Sequence, residues 1–168
     1  MFNDENETNA PSIMPIFTEI TGGGIDTACE GLNTEDLPIL ALRNMVLYPG
    51  VAISVTVGRE KSLKLVQEAQ KNHSYIGVNC QIDNEVEDPG FNDLHAIGVV
   101  AEIIKVLEMP DDSTTVILQG KRRYVLCSIT EQQPYLRGRI AFADEVLPDS
   151  TDKEYEGLLA SLKEIMVN

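Results

Sequence analysis

Two long apolar runs, Ala96 to Glu108 and Thr114 to Ile129, meet at the five residues Met-Pro-Asp-Asp-Ser. Pro110 suits the second position of a tight turn, and Asp111, Asp112 or Ser113 can bond back to the backbone there. The runs therefore read as two strands of one hairpin. Both carry apolar residues on either face, as at Val99, Val100, Ile103 and Ile104. A flat sheet with one wet face has no use for such a pattern; a sheet that curls to bury two sides does.

The segments around the hairpin fit a small curled sheet. Leu37 to Leu42 reads as a first strand. Val51, Ile53, Val55 and Val57 alternate with Ala52, Ser54 and Thr56, the period of two of a half-buried strand. Gly58 ends it, and REKSLKLVQEAQKN is helical in character. There Leu63, Val66 and Ala69 recur every three residues, and Glu60 stands four residues before Lys64 in the favourable direction. Tyr75 to Cys80 is a short strand, and Gln81 to Asp93, with five acids, Pro89 and Gly90, is a long loop. Tyr135 to Val146 is a last strand and Pro148 marks a break. Thr151 and Glu154 form a capping box for a terminal helix, in which Tyr155, Leu158, Leu159, Leu162, Ile165 and Met166 make one apolar stripe. That helix reaches Asn168 with no C-cap glycine, so the natural polypeptide is expected to continue. Residues 1–34, rich in Asn, Glu and Thr with a Gly22-Gly23-Gly24 run, read as a flexible acidic extension, because pieces such as Ile16-Phe17 bury too little to offset chain entropy. The organisation expected is an extension over 1–34, one domain over 35–147, and the start of a helical connector over 148–168.

Charge has to be located before it is interpreted. The net charge is −14, yet residues 1–36 hold eight acids with no Lys or Arg, and residues 144–168 hold seven acids against two lysines. The intervening 37–143 carries twelve acids and eleven bases. Acidity thus belongs to the flanks, where it serves solubility and repels polyanions. No run approaches the roughly 18 apolar residues of a membrane span. The first ten residues lack both a basic n-region and an apolar core, so a cytoplasmic, membrane-free protein is expected. Cys29, Cys80 and Cys127 lie 51 and 47 residues apart, without zinc-ligand spacing, and read as reduced thiols.

Catalytic chemistry has no visible seat. His73 and His95 have no nucleophile with a recognisable motif beside them. Ser62 with Lys64, and Ser161 with Lys163, stand two apart on helices and so face different ways. The triple glycine lacks the Lys-Ser/Thr of a phosphate loop. The acids Asp83, Glu85, Glu87, Asp88 and Asp93 lack the order of a calcium loop, so no metal is expected. The basic cluster Lys121, Arg122 and Arg123 would carry a nucleic-acid interface, but a near-neutral middle with acidic ends attracts phosphate poorly, and structural salt bridges are the favoured role.

Five stretches, in this order and spacing, resemble the N-terminal domain of Lon, the ATP-dependent protease: LPILALRNMVLYPG at 37–50, VGREKS at 57–62, EVEDP at 85–89, IGVVAEI at 97–103 and LQGKRR at 118–123. Ala41 is a mild departure from the family pattern, and the acidic extension has no counterpart in it. The resemblance implies an α+β domain, a PUA-like β-rich pseudo-barrel with one crossing helix and a C-terminal helix. It implies a non-catalytic role in recognising unfolded or damaged proteins and in supporting a homo-hexamer. ATP and Mg would serve only an AAA+ ATPase, and cleavage a Ser–Lys protease domain, neither of whose motifs occurs in these 168 residues. The rival readings are a nucleic-acid-binding PUA-like module and a stand-alone Lon-domain protein.

The apolar loop before the Pro49-Gly50 turn has two readings. Val46 and Leu47 plug one end of the barrel, a burial that stabilises by roughly 1.5–3 kcal/mol per side chain. Alternatively the loop stays partly exposed and touches the apolar surface that unfolded chains share. Met45 and Tyr48 are expected outside. Met45, Val46, Tyr48, Pro49, Phe91 and Met109 are the candidate substrate contacts.

Overall fold

The computed structural model describes residues 16–17, 29, 31–111, 113–144, 146 and 152–167. Seven strands and two α-helices follow in the order β1 (Ile16–Phe17), β2 (Leu37–Leu42), β3 (Val51–Val57), α1 (Glu60–Asn72), β4 (Ile76–Cys80), β5 (Ile97–Glu108), β6 (Thr114–Glu131), β7 (Arg137–Phe142) and α2 (Lys153–Val167), with a 3-10 turn at Phe91–Asp93. The sheet order is β1-β3-β6-β5-β4-β2-β7, and β7 returns to pair with β6. Strands β6, β5, β4, β2 and β7 therefore close a ring, while β3 and β1 extend from the first half of β6.

The 18 residues of β6 make this double use possible. Its first half lies between β3 and β5, its second between β5 and β7. Closure demands sharp bending, and the register shifts supply it. They fall between Val100/Ala101 and Ile103/Lys105 on the β5 side, and between Leu126/Ser128 and Ile129/Glu131 on the β7 side. Ile104 is skipped at one shift and is left 52 % exposed, so a bulge accounts for part of the two-faced apolar pattern. The pairing of β2 with β4 is parallel, and α1 lies in the connection between β3 and β4, packed against β2 and β5.

Two apolar clusters fill the interior. The larger gathers β3, α1, β4, the middle of β5 and the start of β6 around Leu65, Val66, Val116 and Leu118. The smaller centres on Tyr124, with Leu37, Ile39, Val100 and Ile140. Tyr124 is fully buried; its hydroxyl donates to Asn79 Oδ1, and Asn79 Nδ2 donates to the His95 carbonyl at 2.8 Å. Gly77 and Gly98 make room for this ring: a Cβ on either would stand 2.5–2.6 Å from the Tyr124 side chain.

Several expectations need correction. In α1 Val66 and Ala69 are buried as expected, but the third buried residue is Leu65, while Leu63 is only partly covered. The last strand is shorter than Tyr135 to Val146, because Tyr135 and Leu136 enter the core before regular pairing starts at Arg137. At α2, Asp152 Oδ1 accepts from the backbone N–H of Glu154 at 3.0 Å and of Tyr155 at 3.3 Å, so Asp152 caps the helix; Thr151 lies outside the described residues. Most of 1–34 also lies outside them, but Ile16–Phe17 form β1, Cys29 is buried and Leu32 packs in the smaller cluster.

Candidate functional site

Loop 43–50 takes its shape from its two ends. Pro49 and Gly50 occupy the centre of a turn in which the Val51 N–H donates to the Tyr48 carbonyl at 3.2 Å, and Gly50 has φ +76°. Proline second and a positive-φ glycine third is the arrangement a type II turn requires. The turn is docked on β6: the Gly50 N–H donates to the Gly120 carbonyl at 2.9 Å, and the Tyr48 carbonyl occupies the space a Cβ on residue 120 would need. At the other end Arg43 donates to the Val86 carbonyl at 3.2 Å, and Asn44, at φ +54°, exchanges hydrogen bonds with the Asn84 side chain.

Between these anchors the chain alternates. Leu47 is buried and Met45 is partly buried against the larger cluster, while Val46 is 53 % and Tyr48 55 % exposed. Tyr48 lies outside as expected. Met45 and Val46 exchange the places expected of them, because the plug is Met45 with Leu47. The loop thus buries one side of an extended segment and leaves the other exposed.

The remaining candidates are scattered. Phe91 and Met109 are exposed, at 42 % and 44 %. Phe91 sits in the 3-10 turn closing the loop whose earlier residues hold Arg43 and Asn44. Met109 follows the end of β5, where Glu108 pairs with Thr114. Tyr48 lies over Gly120, six residues further along β6, a distance of about 20 Å at the rise of a strand. Met109 therefore stands apart from the 45–49 patch. Sequence reasoning did not single out Ile82, at 57 %, or Ile97, at 62 %, as exposed. Ile97 pairs across the sheet with Val125, also exposed; it lay inside an apolar run expected to be buried throughout, so no local signal set it apart.

The acidic loop is organised by a side-chain amide. Buried Gln81 donates to the carbonyls of Asp83 (3.1 Å) and Val86 (2.9 Å) and accepts from Arg59 at 2.5 Å. Arg59 and Arg43 border a cavity of about 480 Å³ with an apolar floor of Ile39, Leu65 and Leu136. Burial, and then the neighbouring charge of Arg43, lower the pKa of Arg59 below the usual guanidinium range. Lys61 pairs with Asp88 at 2.7 Å on the same rim. Among the described residues no group of His, Cys, Asp and Glu is arranged to hold a metal ion, and none of their helices is long and apolar enough to cross a membrane.

The basic cluster is engaged within the domain. Lys121 pairs with Glu102 at 2.9 Å and donates to Gln119 Oε1. The Arg122 guanidinium lies 4.3 Å from the centre of the Phe142 ring, and Arg123 also has an interaction partner. These contacts fit internal bracing of the barrel, not a row of cations held out for phosphate.

A β-rich ring with one crossing helix thus carries an apolar turn exposed at Val46 and Tyr48. The model of the ATP-dependent protease La (LON) substrate-binding domain matches residues 36–167, and the chain belongs to that family. Lon protease of Parabacteroides distasonis is 46 % identical over 166 residues, 98 % of this chain and 20 % of the relative. Lon protease of Porphyromonas gingivalis is 42 % identical over 163 residues, 96 % and 19 % respectively. The chain thus spans about a fifth of the length of these curated relatives. The crystal structure of a Lon N-terminal domain protein from Xanthomonas campestris superposes with TM-score 0.59 at 27 % identity, covering 79 % of this chain and 73 % of that one. The N-terminal domain of Mycobacterium avium complex Lon protease shares the fold at TM-score 0.59 and 18 % identity, over 79 % and 70 %. The nucleic-acid reading is not favoured.

Proposed function

We propose that residues 35–147 recognise unfolded or damaged polypeptides for a Lon-like ATP-dependent serine protease and perform no chemistry themselves. The observation that carries this reading is the exposure of Val46 and Tyr48 on a turn pinned at Gly50 and Gly120. A fixed apolar ledge offers contact area without first having to be ordered, which lowers the cost of binding. Pro49 completes the ledge, half-buried Met45 supports it from beneath, and Phe91 and Met109 are separate secondary contacts.

In this reading residues 1–34 are an extension and residues 148–168 open a helical connector towards the rest of the parent. The parent is a cytoplasmic homo-hexamer whose AAA+ part uses ATP and Mg and whose protease part uses a Ser–Lys pair. Residues 37–147 hold neither a phosphate loop nor, where described, a metal-binding cluster, so no step of that chemistry is assigned to this chain. A single site of this kind binds at about 10 μM to 1 mM, and six copies in one ring raise avidity by on the order of 10²–10⁴.

Titration of the isotope-labelled 168-residue chain with a permanently unfolded protein tests the reading by NMR. Shifts concentrated at 46–49 are expected, and Val46→Ser with Tyr48→Ser should weaken binding about tenfold while the unfolding midpoint holds. Absence of shifts at 45–50 at millimolar ligand rejects the ledge as the site.

A further inference from the structure

The cavity enclosed by β2, α1 and the acidic loop has a chemistry that the ledge does not use. Ile39, Leu65, Tyr135 and Leu136 floor it, Ala41 lines it beside them, and Arg43 and Arg59 border it. Each guanidinium gives one hydrogen bond to a neutral oxygen, Arg43 to the Val86 carbonyl and Arg59 to the Gln81 side chain, and carries further N–H donors. Among the described residues neither stands in an ion pair. They are close enough for the charge of Arg43 to act on Arg59, and an anion between them would relieve that repulsion. The acids of the lining are mostly committed. Lys61 binds both oxygens of Asp88, at 2.7 and 2.8 Å, and Lys64 holds Glu60 at 2.7 Å. Two guanidiniums then face Glu87 alone.

Two cations over an apolar floor fit a carboxylate carried on an apolar group. The volume of about 480 Å³ falls inside the roughly 300–1,000 Å³ range of small-ligand sites. Guanidiniums bind a carboxylate through parallel N–H bonds, in a geometry that an ammonium lacks. In a polypeptide a carboxylate and an apolar side chain meet on one residue only at the C-terminus. We infer that this cavity takes the last residue of polypeptides that end in a large apolar side chain, with Arg43 and Arg59 holding the terminal carboxylate. The inference rests on the proposed reading that the domain binds unfolded chains, and it gives that reading a second contact. Arg43 opens the loop that carries the ledge, and Val46, three residues on, is no more than about 11 Å away along the chain. A chain end seated in the cavity can thus lay the residues before it across Val46 and Tyr48. Capture of a terminal carboxylate by fixed donors is a recurrent mode of peptide recognition.

The peptide acetyl-GSGSLL, with a free C-terminus and as its C-terminal amide, is titrated into the isotope-labelled 168-residue chain. The acid should bind about tenfold tighter than the amide or more, with shifts at Ile39, Ala41 and Leu136. Arg43→Gln and Arg59→Lys should each bring the acid down towards the amide. Ala41→Leu keeps both arginines and fills the floor, and should weaken the acid about fivefold or more at an unchanged unfolding midpoint. Equal affinity of acid and amide, or no binding of either, overturns the inference. So does acid affinity that Ala41→Leu leaves unchanged, because an anion held on the surface alone ignores the floor. N-acetyl-leucine matching the hexapeptide reassigns the cavity to free small carboxylic acids and overturns the chain-end inference. A permanently unfolded protein that shifts 46–49 while the peptides fail leaves the ledge standing without the cavity. Preference for the acid with shifts at the cavity, and none at 45–50 under the unfolded protein, keeps the chain-end site and removes the ledge.

Discussion

Gly50 and Gly120 hold the exposed turn from opposite sides, one by its positive φ and the other by its missing side chain. Alanine at 50 puts a Cβ into left-handed backbone and should destabilise the chain by about 1–2 kcal/mol, measured by urea unfolding, with altered chemical shifts confined to 45–51. Asp36 matters in another way. The Arg137 guanidinium, 2.8–2.9 Å away, holds the Asp36 carboxyl below the ordinary carboxylate range by hydrogen bonding, and Thr130 adds to this. A carboxylate depressed on folding stabilises the native state above its unfolded pKa of about 3.9 and stops doing so as pH falls through the lower folded value. Asp36→Asn should therefore flatten stability against pH below about pH 4 and leave its slope near neutrality unchanged, as read from unfolding midpoints across pH. Residue identity made the turn type legible in advance, since Pro-Gly admits few alternatives. The alternation of Met45 and Val46 was not legible, because which side faces inward depends on how β6 passes beneath the loop.

Elements came through unevenly, and the reasons are physical. β3 stands where its apolar pattern sets it, because a period of two admits only one strand phase, and β2 keeps its expected bounds although its burial does not alternate. α1 was assigned its boundaries well and its inward face imperfectly: a 3.6-residue repeat sampled over thirteen residues admits either Leu63 or Leu65, and only packing against β2 and β5 decides. Leu65→Ala should cost about 2–5 kcal/mol and Leu63→Ala clearly less, compared by thermal unfolding of the two variants. Bulges are invisible to pattern reading, so the exposure of Ile104 and the passage of β6 from one neighbour to the next could not be anticipated. The stripe of α2 was legible, and in the structure Leu158, Leu162, Ile165 and Met166 are 57–73 % exposed.

At the level of the whole molecule, charge and fold point the same way. A net charge of −14 with Lys121 and Arg122 committed to Glu102 and Phe142 leaves little to attract phosphate. Fluorescence anisotropy with single- and double-stranded oligonucleotides at about 50 mM salt should stay flat, and a salt-sensitive rise abolished by Lys121→Glu would contradict this. The curled sheet was legible from the hairpin's two-faced pattern, and the family's ordered motifs made the rest of the fold accessible. The parallel contact of β2 with β4 was not, since pairing between distant segments leaves no trace in local spacing.

The ring is sealed by β7, a strand whose partners β2 and β6 flank nearly everything made before it. Synthesis runs from the N-terminus, so the smaller cluster around Tyr124 lacks Ile140, and β2 lacks its second neighbour, until residues 137–142 have emerged. A message broken upstream of that point yields a polypeptide whose ring cannot seal, and it would bear the very kind of uncovered apolar surface that the domain is proposed to recognise.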